Sequence, residues 1–225
     1  AAAQTLARLR SGELAGATRL DLAGELSEFP HEILELADSL EVLNLTGNAL
    51  SELPADFGRL RKLRILFCSD NRFTRLPEVL GECPQLEMVG FKSNRIAQVS
   101  AASLPQRLRW LILTDNEIVD VPAELGRRPR LQKLMLAGNR LSALPDSMAA
   151  CGQLELLRIA CNRFDALPGW LFDLPRLSWL AFAGNPVAQA NEEHAVRSHP
   201  VPEIDWADLQ LHEVLGQGAS GVIHR

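Results

Sequence analysis

The residues of this chain whose types and spacing could do chemistry lie mostly at its far end. Gly216-x-Gly218-x-x-Gly221 is a spacing that suits close approach of backbone to a ligand, because glycine carries no Cβ. Context narrows the possibilities. A dinucleotide loop needs a helix opening at the third glycine and an acidic residue about 20 residues further on. Here Val222 and Ile223 follow Gly221 and favour a second strand. No Gly-Lys-Ser/Thr follows, which excludes a Walker A loop. Upstream, Leu209, Leu211 and Glu213 alternate before Val214-Leu215, so the segment reads as strand, glycine turn, strand. Another kind of nucleotide loop, or an incidental glycine turn, fits the same residues.

Other candidates are weaker. His194 and His199 lie near Glu192, Glu193 and Glu203, but histidines five apart in a proline-containing segment match no metal-ligand spacing. Glu203 and Asp205 read as linker charges. Asp70 and Asp115, each just before an asparagine, read as surface charges rather than an acid/base pair. No catalytic residue and no metal ligand is assigned.

What must position anything else is a repeat. From near Leu20 to Asn185-Pro186 the chain repeats Leu-x-x-Leu-x-Leu-x-x-Asn-x-Leu-x-x-Leu-Pro, most clearly at Leu40, Leu43, Leu45, Asn48, Leu50, Leu53 and Pro54. The first leucines of successive copies, Leu40, Leu63, Leu86, Leu108, Leu131, Leu154 and Leu177, stand 23, 23, 22, 23, 23 and 23 residues apart. Leu43 and Leu45 lie two apart and so share one face of a strand, and stacked strands bury that face in a parallel sheet. Asparagines 48, 71, 94, 116, 139, 162 and 185 fall where the chain turns away from the sheet. There an amide can both donate to and accept from buried backbone groups. Glu25 takes that place in a shortened first copy. Pro54, Pro77, Pro122, Pro145 and Pro168 should open a return turn, with pairs such as Phe57/Leu60 and Leu80/Cys83 facing inward. The copy at Leu86 has Val99-Ser100 instead of Leu-Pro and should be irregular on its outer side.

This period and pattern resemble the leucine-rich repeat family, and the Leu-Pro with a 23-residue period resembles its intracellular Ras-group-related kind. The resemblance implies an α/β solenoid, a parallel-sheet horseshoe, over residues 17–187. An N-terminal capping helix over 1–16, using Leu6, Leu9 and Leu14, and a C-terminal cap and linker over 188–205 should close its ends.

Composition sets bounds. The chain has 225 residues, 47% of them hydrophobic, and a net charge of −5, which disfavours nucleic acid. No apolar run approaches the roughly 20 residues of a membrane span, and no signal peptide opens the sequence. Cys68 takes a strand leucine's place and Cys83 and Cys151 the place of Leu60, so these read as small core hydrophobes. Cys161 alone should approach the surface. Neither expected cap contains cysteine, whereas extracellular members of the family commonly carry disulfide-bonded caps, so a cytoplasmic setting is expected.

The outward strand positions form lateral stripes, since like positions of adjacent strands lie about 4.8 Å apart. One stripe runs Val42, Ile65, Met88 and Trp110 and continues to Leu156 and Trp179, with Phe67, Ile112 and Met135 beside it. A contiguous patch containing Trp and Met suggests a protein interface on the concave face, the usual binding face of the family, with Phe67 and Trp110 as anchors. The alternatives are an ordinary sheet surface, or coverage by another segment of the chain.

The tail adds a second resemblance. Leu215, Gly216, Gly218, Gly221 and Ile223 resemble the glycine-rich loop in the first hairpin of a protein kinase, which would occupy residues 206–225. In that family the loop backbone covers the ATP phosphates, so the resemblance implies ATP and Mg²⁺ as cofactors of a parent kinase and none for this stretch alone. The strand lysine, its helix glutamate, the catalytic aspartate and the Asp-Phe-Gly would all fall beyond Arg225. Trp206 is the expected anchor of the tail. The leading reading is a recognition module that binds a protein partner and targets or gates a kinase. The alternative is a non-enzymatic interaction scaffold. Nothing in the residues fixes an oligomeric state.

Overall fold

Each repeat spends three residues in a strand, and the strands stack in chain order. The computed structural model describes residues 2–198, 214–218 and 221–224, in two units that part between Gln189 and Ala190. Strands β1 (Arg19–Asp21), β2 (Val42–Asn44), β3 (Ile65–Phe67), β4 (Met88–Gly90), β5 (Trp110–Ile112), β6 (Lys133–Met135), β7 (Leu156–Arg158) and β8 (Trp179–Ala181) form one eight-stranded parallel sheet in that order. The register is constant: Leu43 pairs with Leu66, Leu66 with Val89, Val89 with Leu111. Every middle residue from Leu20 to Leu157 is therefore buried on one side, with its two strand neighbours facing out. This is the open α/β solenoid that the repeat implies.

The asparagines carry the turns. Each Nδ2 donates to two carbonyls, one three residues earlier in its own repeat and one in the repeat before; Asn94 bonds Phe91 O and Cys68 O, both at 3.0 Å. Each Oδ1 accepts from the preceding repeat, as Asn94 does from the Phe73 N–H at 3.0 Å and Asn116 from Ile96 at 3.0 Å. The same three bonds recur from Asn48 to Asn185, and all seven asparagines are buried. The residue before each one adopts left-handed backbone: Gly47, Asp70, Ser93, Asp115, Gly138, Cys161 and Gly184 have φ between 53° and 79°. Glu25 does not stand in this ladder. It is exposed at φ 59°, and the N–H groups of Gly24 and Leu26 on either side donate to Asn48 instead.

The return limbs are 3-10 turns rather than α-helices. Pro77, Pro122, Pro145 and Pro168 stand in extended backbone immediately before Glu78–Glu82, Ala123–Arg127, Asp146–Ala150 and Gly169–Asp173. A 3-10 turn rises about 2.0 Å per residue and aligns i with i+3. Few residues thus span the outer side while Phe57 and Leu60, or Leu80 and Cys83, both point inward and are buried. The copy with Val99-Ser100 has only the three-residue turn Ala101–Ser103. Its Leu104 carbonyl is met by Arg128, which occupies a core-leucine position, is 7% exposed and donates through Nη2 at 3.0 Å and Nε at 3.3 Å. Burial lowers the Arg128 pKa from its ordinary value.

Helix α1 (Ala2–Arg10) covers the first repeat with Leu9 buried and Leu6 and Leu14 partly so. Gly12, at φ 78°, ends it. Helix α2 (Pro186–Ser198) follows the last strand, with Val187 N–H bonded to Phe164 O at 2.9 Å and Ala188 buried. It begins two residues before the expected cap. In the second unit, β9 (Val214–Gly218) and β10 (Gly221–His224) form an antiparallel hairpin. His199, Pro200, Pro202, Trp206 and the Leu209, Leu211, Glu213 alternation lie outside the described residues.

Replacing Asn94 by Ala strands one backbone donor and two acceptors in the interior. It should cost about 3 kcal/mol or more in urea unfolding, whereas Gln98→Ala, at an exposed side chain outside the ladder, should cost under about 0.5 kcal/mol.

Candidate functional site

The constant register turns sequence spacing into surface. Val42 pairs with Ile65, Ile65 with Met88, Met88 with Trp110, Trp110 with Lys133, Lys133 with Leu156 and Leu156 with Trp179. All are half-buried except Trp179, which is 57% exposed at the last strand. In the row beside them, Phe67 pairs with Gly90, Gly90 with Ile112 and Ile112 with Met135. The named residues lie side by side in two register rows, the first interrupted by one cation, Lys133.

That cation belongs to Trp110. Lys133 Nζ stands 4.1 Å from the indole centroid, and the Trp110 Nε1–H donates to Gln132 Oε1 at 3.1 Å. Gln132 Nε2 in turn donates to Glu155 Oε2 at 2.9 Å. The indole is thus held by a cation on one face and a hydrogen bond at its edge, a preorganised surface rather than a free rotor. Phe67 is seated differently. A Cβ built on Gly90 would lie 2.7 Å from Phe67 Cδ1, so the ring rests on the space that glycine leaves. Sequence reading missed Gly90, Gln132 and Lys133 as the supports of the two anchors. The signal for Gly90 was available, since an isolated glycine in a strand marks close approach.

A second row lies one residue earlier in each repeat and also escaped notice. Glu41, Arg64, Glu87 and Arg109 alternate in charge along the sheet edge. Glu87 is buried, with Arg64 Nη2 at 2.9 Å and Arg109 Nη1 and Arg130 Nη2 each at 3.8 Å. The hydrogen bond to Glu87 raises the Arg64 pKa above its ordinary value.

Asp70 and Asp115 prove to be turn residues with left-handed backbone, φ 53° and 58°. The Asp115 carboxylate packs over Gly138 of the next repeat. Among the described residues no three His, Cys, Asp or Glu side chains are grouped to hold a metal ion. Cys68, Cys83 and Cys151 are buried and free, and Cys161 is exposed. Burial drives the Cys68 thiol far upward and lifts Cys83 to about 12 and Cys151 to about 11. Those three thiols stay protonated and unreactive at neutral pH.

In the hairpin, Gly218 pairs with Gly221 across residues 219–220, and Gly216 pairs with Ile223. All three glycines therefore lie on the two paired strands.

Comparison with known proteins agrees with this geometry. Leucine-rich repeat family models match residues 129–187 and 39–60. A Dictyostelium discoideum protein named probable inactive serine/threonine-protein kinase roco10 is 29% identical over 110 residues, 47% of this chain and 4% of its own length. Another from the same organism, named probable serine/threonine-protein kinase roco9, is 44% identical over 66 residues, 29% of this chain and 2% of its own. A solved structure, the plant peptide hormone receptor RGFR1 in complex with RGF2, superposes with a TM-score of 0.61 at 28% identity, covering 75% of this chain and 32% of that one. The solenoid is a leucine-rich repeat domain, related in sequence to proteins named as serine/threonine kinases. The chain spans only a few per cent of the length of these curated relatives. Among the described residues no helix is long and apolar enough to cross a membrane.

At pH 8 a thiol reagent should modify one cysteine of the folded chain, Cys161, within minutes, and all four only after denaturation. Rapid modification of a second thiol in the native state would show that the core opens around it.

Proposed function

We propose that this solenoid is a protein-recognition module that binds a partner along the concave stripe of Val42, Ile65, Met88, Trp110, Leu156 and Trp179, with Phe67, Ile112 and Met135 beside it. The observation that carries the reading is the preorganised pair of aromatic anchors. Trp110 is braced by Lys133 and Gln132, and Phe67 is seated on Gly90. Rigid aromatic surface in a largely apolar row binds protein with little loss of side-chain entropy. The receptor structure bound to RGF2 supports the use of such a solenoid for recognition.

The module's role would be to target or regulate an ATP-dependent protein kinase. The glycine hairpin and the kinase names of the relatives support that extension. In such a parent, Leu215, Gly216, Gly218, Gly221 and Ile223 would hold ATP, whose Mg²⁺-bound γ-phosphate is the group transferred. Free cysteines support a reducing, cytoplasmic setting. A second reading, a scaffold without catalysis, is favoured by a relative whose name calls it a probable inactive kinase.

Affinity capture with the chain and with a Phe67→Ala/Trp110→Ala variant, its fold checked by circular dichroism, tests recognition. The variant should capture the partner about tenfold less or worse, and equal capture would remove the stripe from the site. In the full-length protein, Gly216→Val/Gly218→Val should abolish ATP-dependent phosphorylation and leave capture unchanged. Wild-type phosphorylation by that variant would remove these glycines from the ATP site, and no phosphorylation by the parent itself would favour the scaffold.

A further inference from the structure

A cleft of about 520 Å³ opens at the sheet edge, in the segments leading into β5 to β8, and its polar lining is Arg109, Arg130, Gln132, Gln153, Glu155 and Arg176. Three guanidiniums face one carboxylate there, on a chain whose net charge is −5. Positive charge is concentrated at this place against the balance of the whole molecule.

The arginines are held. Arg176 Nη1 donates to Gln153 Oε1 at 2.6 Å, and Arg109 donates to Gln132 Oε1 through Nε and Nη2 at 3.3 Å. Beneath them, buried Glu87 lies 3.8 Å from both Arg109 and Arg130 and takes its close bond, 2.9 Å, from Arg64 outside the cleft. Glu87 is thus shared by Arg109 and Arg130 of the cleft with Arg64, and its one close bond goes to Arg64, so it does not neutralise the two cleft arginines. The single lining carboxylate, Glu155, is already engaged by Gln132 Nε2 at 2.9 Å.

We propose that this cleft takes a phosphorylated side chain of the protein segment that lies on the concave stripe. The inference rests on recognition by that face. A phosphomonoester carries about −1.5 to −2 charges and three acceptor oxygens at neutral pH, which matches a lining excess of two positive charges. Guanidiniums meet such oxygens with paired, parallel N–H donors. Gln132 joins the two surfaces, because its Oε1 accepts from both the Trp110 indole and Arg109 of the cleft. A segment anchored on Trp110 therefore reaches the cleft within a residue or two.

The test uses three degenerate heptapeptide libraries with a fixed central phosphoserine, serine or glutamate, passed over the immobilised chain. The phosphoserine library should be retained about tenfold better than either other. Retention should fall about tenfold in an Arg130→Gln/Arg176→Gln variant and persist in Arg140→Gln/Arg163→Gln, whose arginines are exposed and do not line the cleft. Equal retention of the glutamate or serine library, no retention, or indifference to the Arg130/Arg176 change would overturn the assignment. So would binding to phosphatidylserine vesicles without phosphopeptide retention, which would point to a lipid headgroup. Against an intact partner protein the two readings separate. If the Arg130/Arg176 variant captures normally while Phe67→Ala/Trp110→Ala fails, the stripe stands and the cleft assignment falls.

Discussion

The interaction on which the solenoid depends is the buried asparagine amide that joins each repeat to the one before it. A chain that leaves a sheet by a tight turn inside the molecule carries peptide groups that water cannot reach, and each would cost free energy unpaired. One amide per repeat answers this, donating twice and accepting once, with bonds that reach 20 or more residues back along the chain. Because the bonds cross the repeat boundary, they hold one repeat at a fixed height on the next, and stability accumulates through neighbours. They also dictate the left-handed residue before each asparagine. That place is filled by glycine in three repeats and by Asp, Ser or Cys in the rest. At Cys161 and Asp115 the requirement is conformational, and no chemistry need be sought there.

Fixed height means fixed register, and register creates the outward face of the sheet. Strands of three residues bury the middle one and present the other two, so a surface row is a list of every twenty-third residue or so. Along that row the molecule places apolar side chains and then immobilises the largest. Gly90 leaves a seat for the Phe67 ring, Lys133 and Gln132 fix the Trp110 indole, and Glu87 gathers arginines at the edge. Supports of this kind come from adjacent repeats, which are neighbours in space only because the ladder makes them so.

That same distinction explains what was legible in the residues alone. Period, strand positions, the roles of the asparagines and the inward cysteines follow from repetition, which is visible in one dimension. The Glu25 assignment failed because a terminal repeat has no earlier neighbour for its turn to bind, and the shortened turn shifted its register by a residue. Nothing in the period marked Arg128. It fills a core position because the short Val99-Ser100 repeat leaves the Leu104 carbonyl open to it. The supports of Phe67 and Trp110 depend on side-chain rotamers across a repeat boundary, which no period encodes. In the tail, the glycine spacing between apolar residues gave the paired strands β9 and β10.

A binding face built this way makes a spatial claim: contact with a partner follows the sheet and avoids the outer turns. Site-specific photo-crosslinking reads that directly, with p-benzoylphenylalanine placed at Met88 or Met135 on the concave row and at Arg59 or Asp146 on the outer turns. Adducts of one common mass at both concave positions, and none from the outer turns, are the predicted result. Equal adducts from the outer turns, or adducts from them alone, would contradict it.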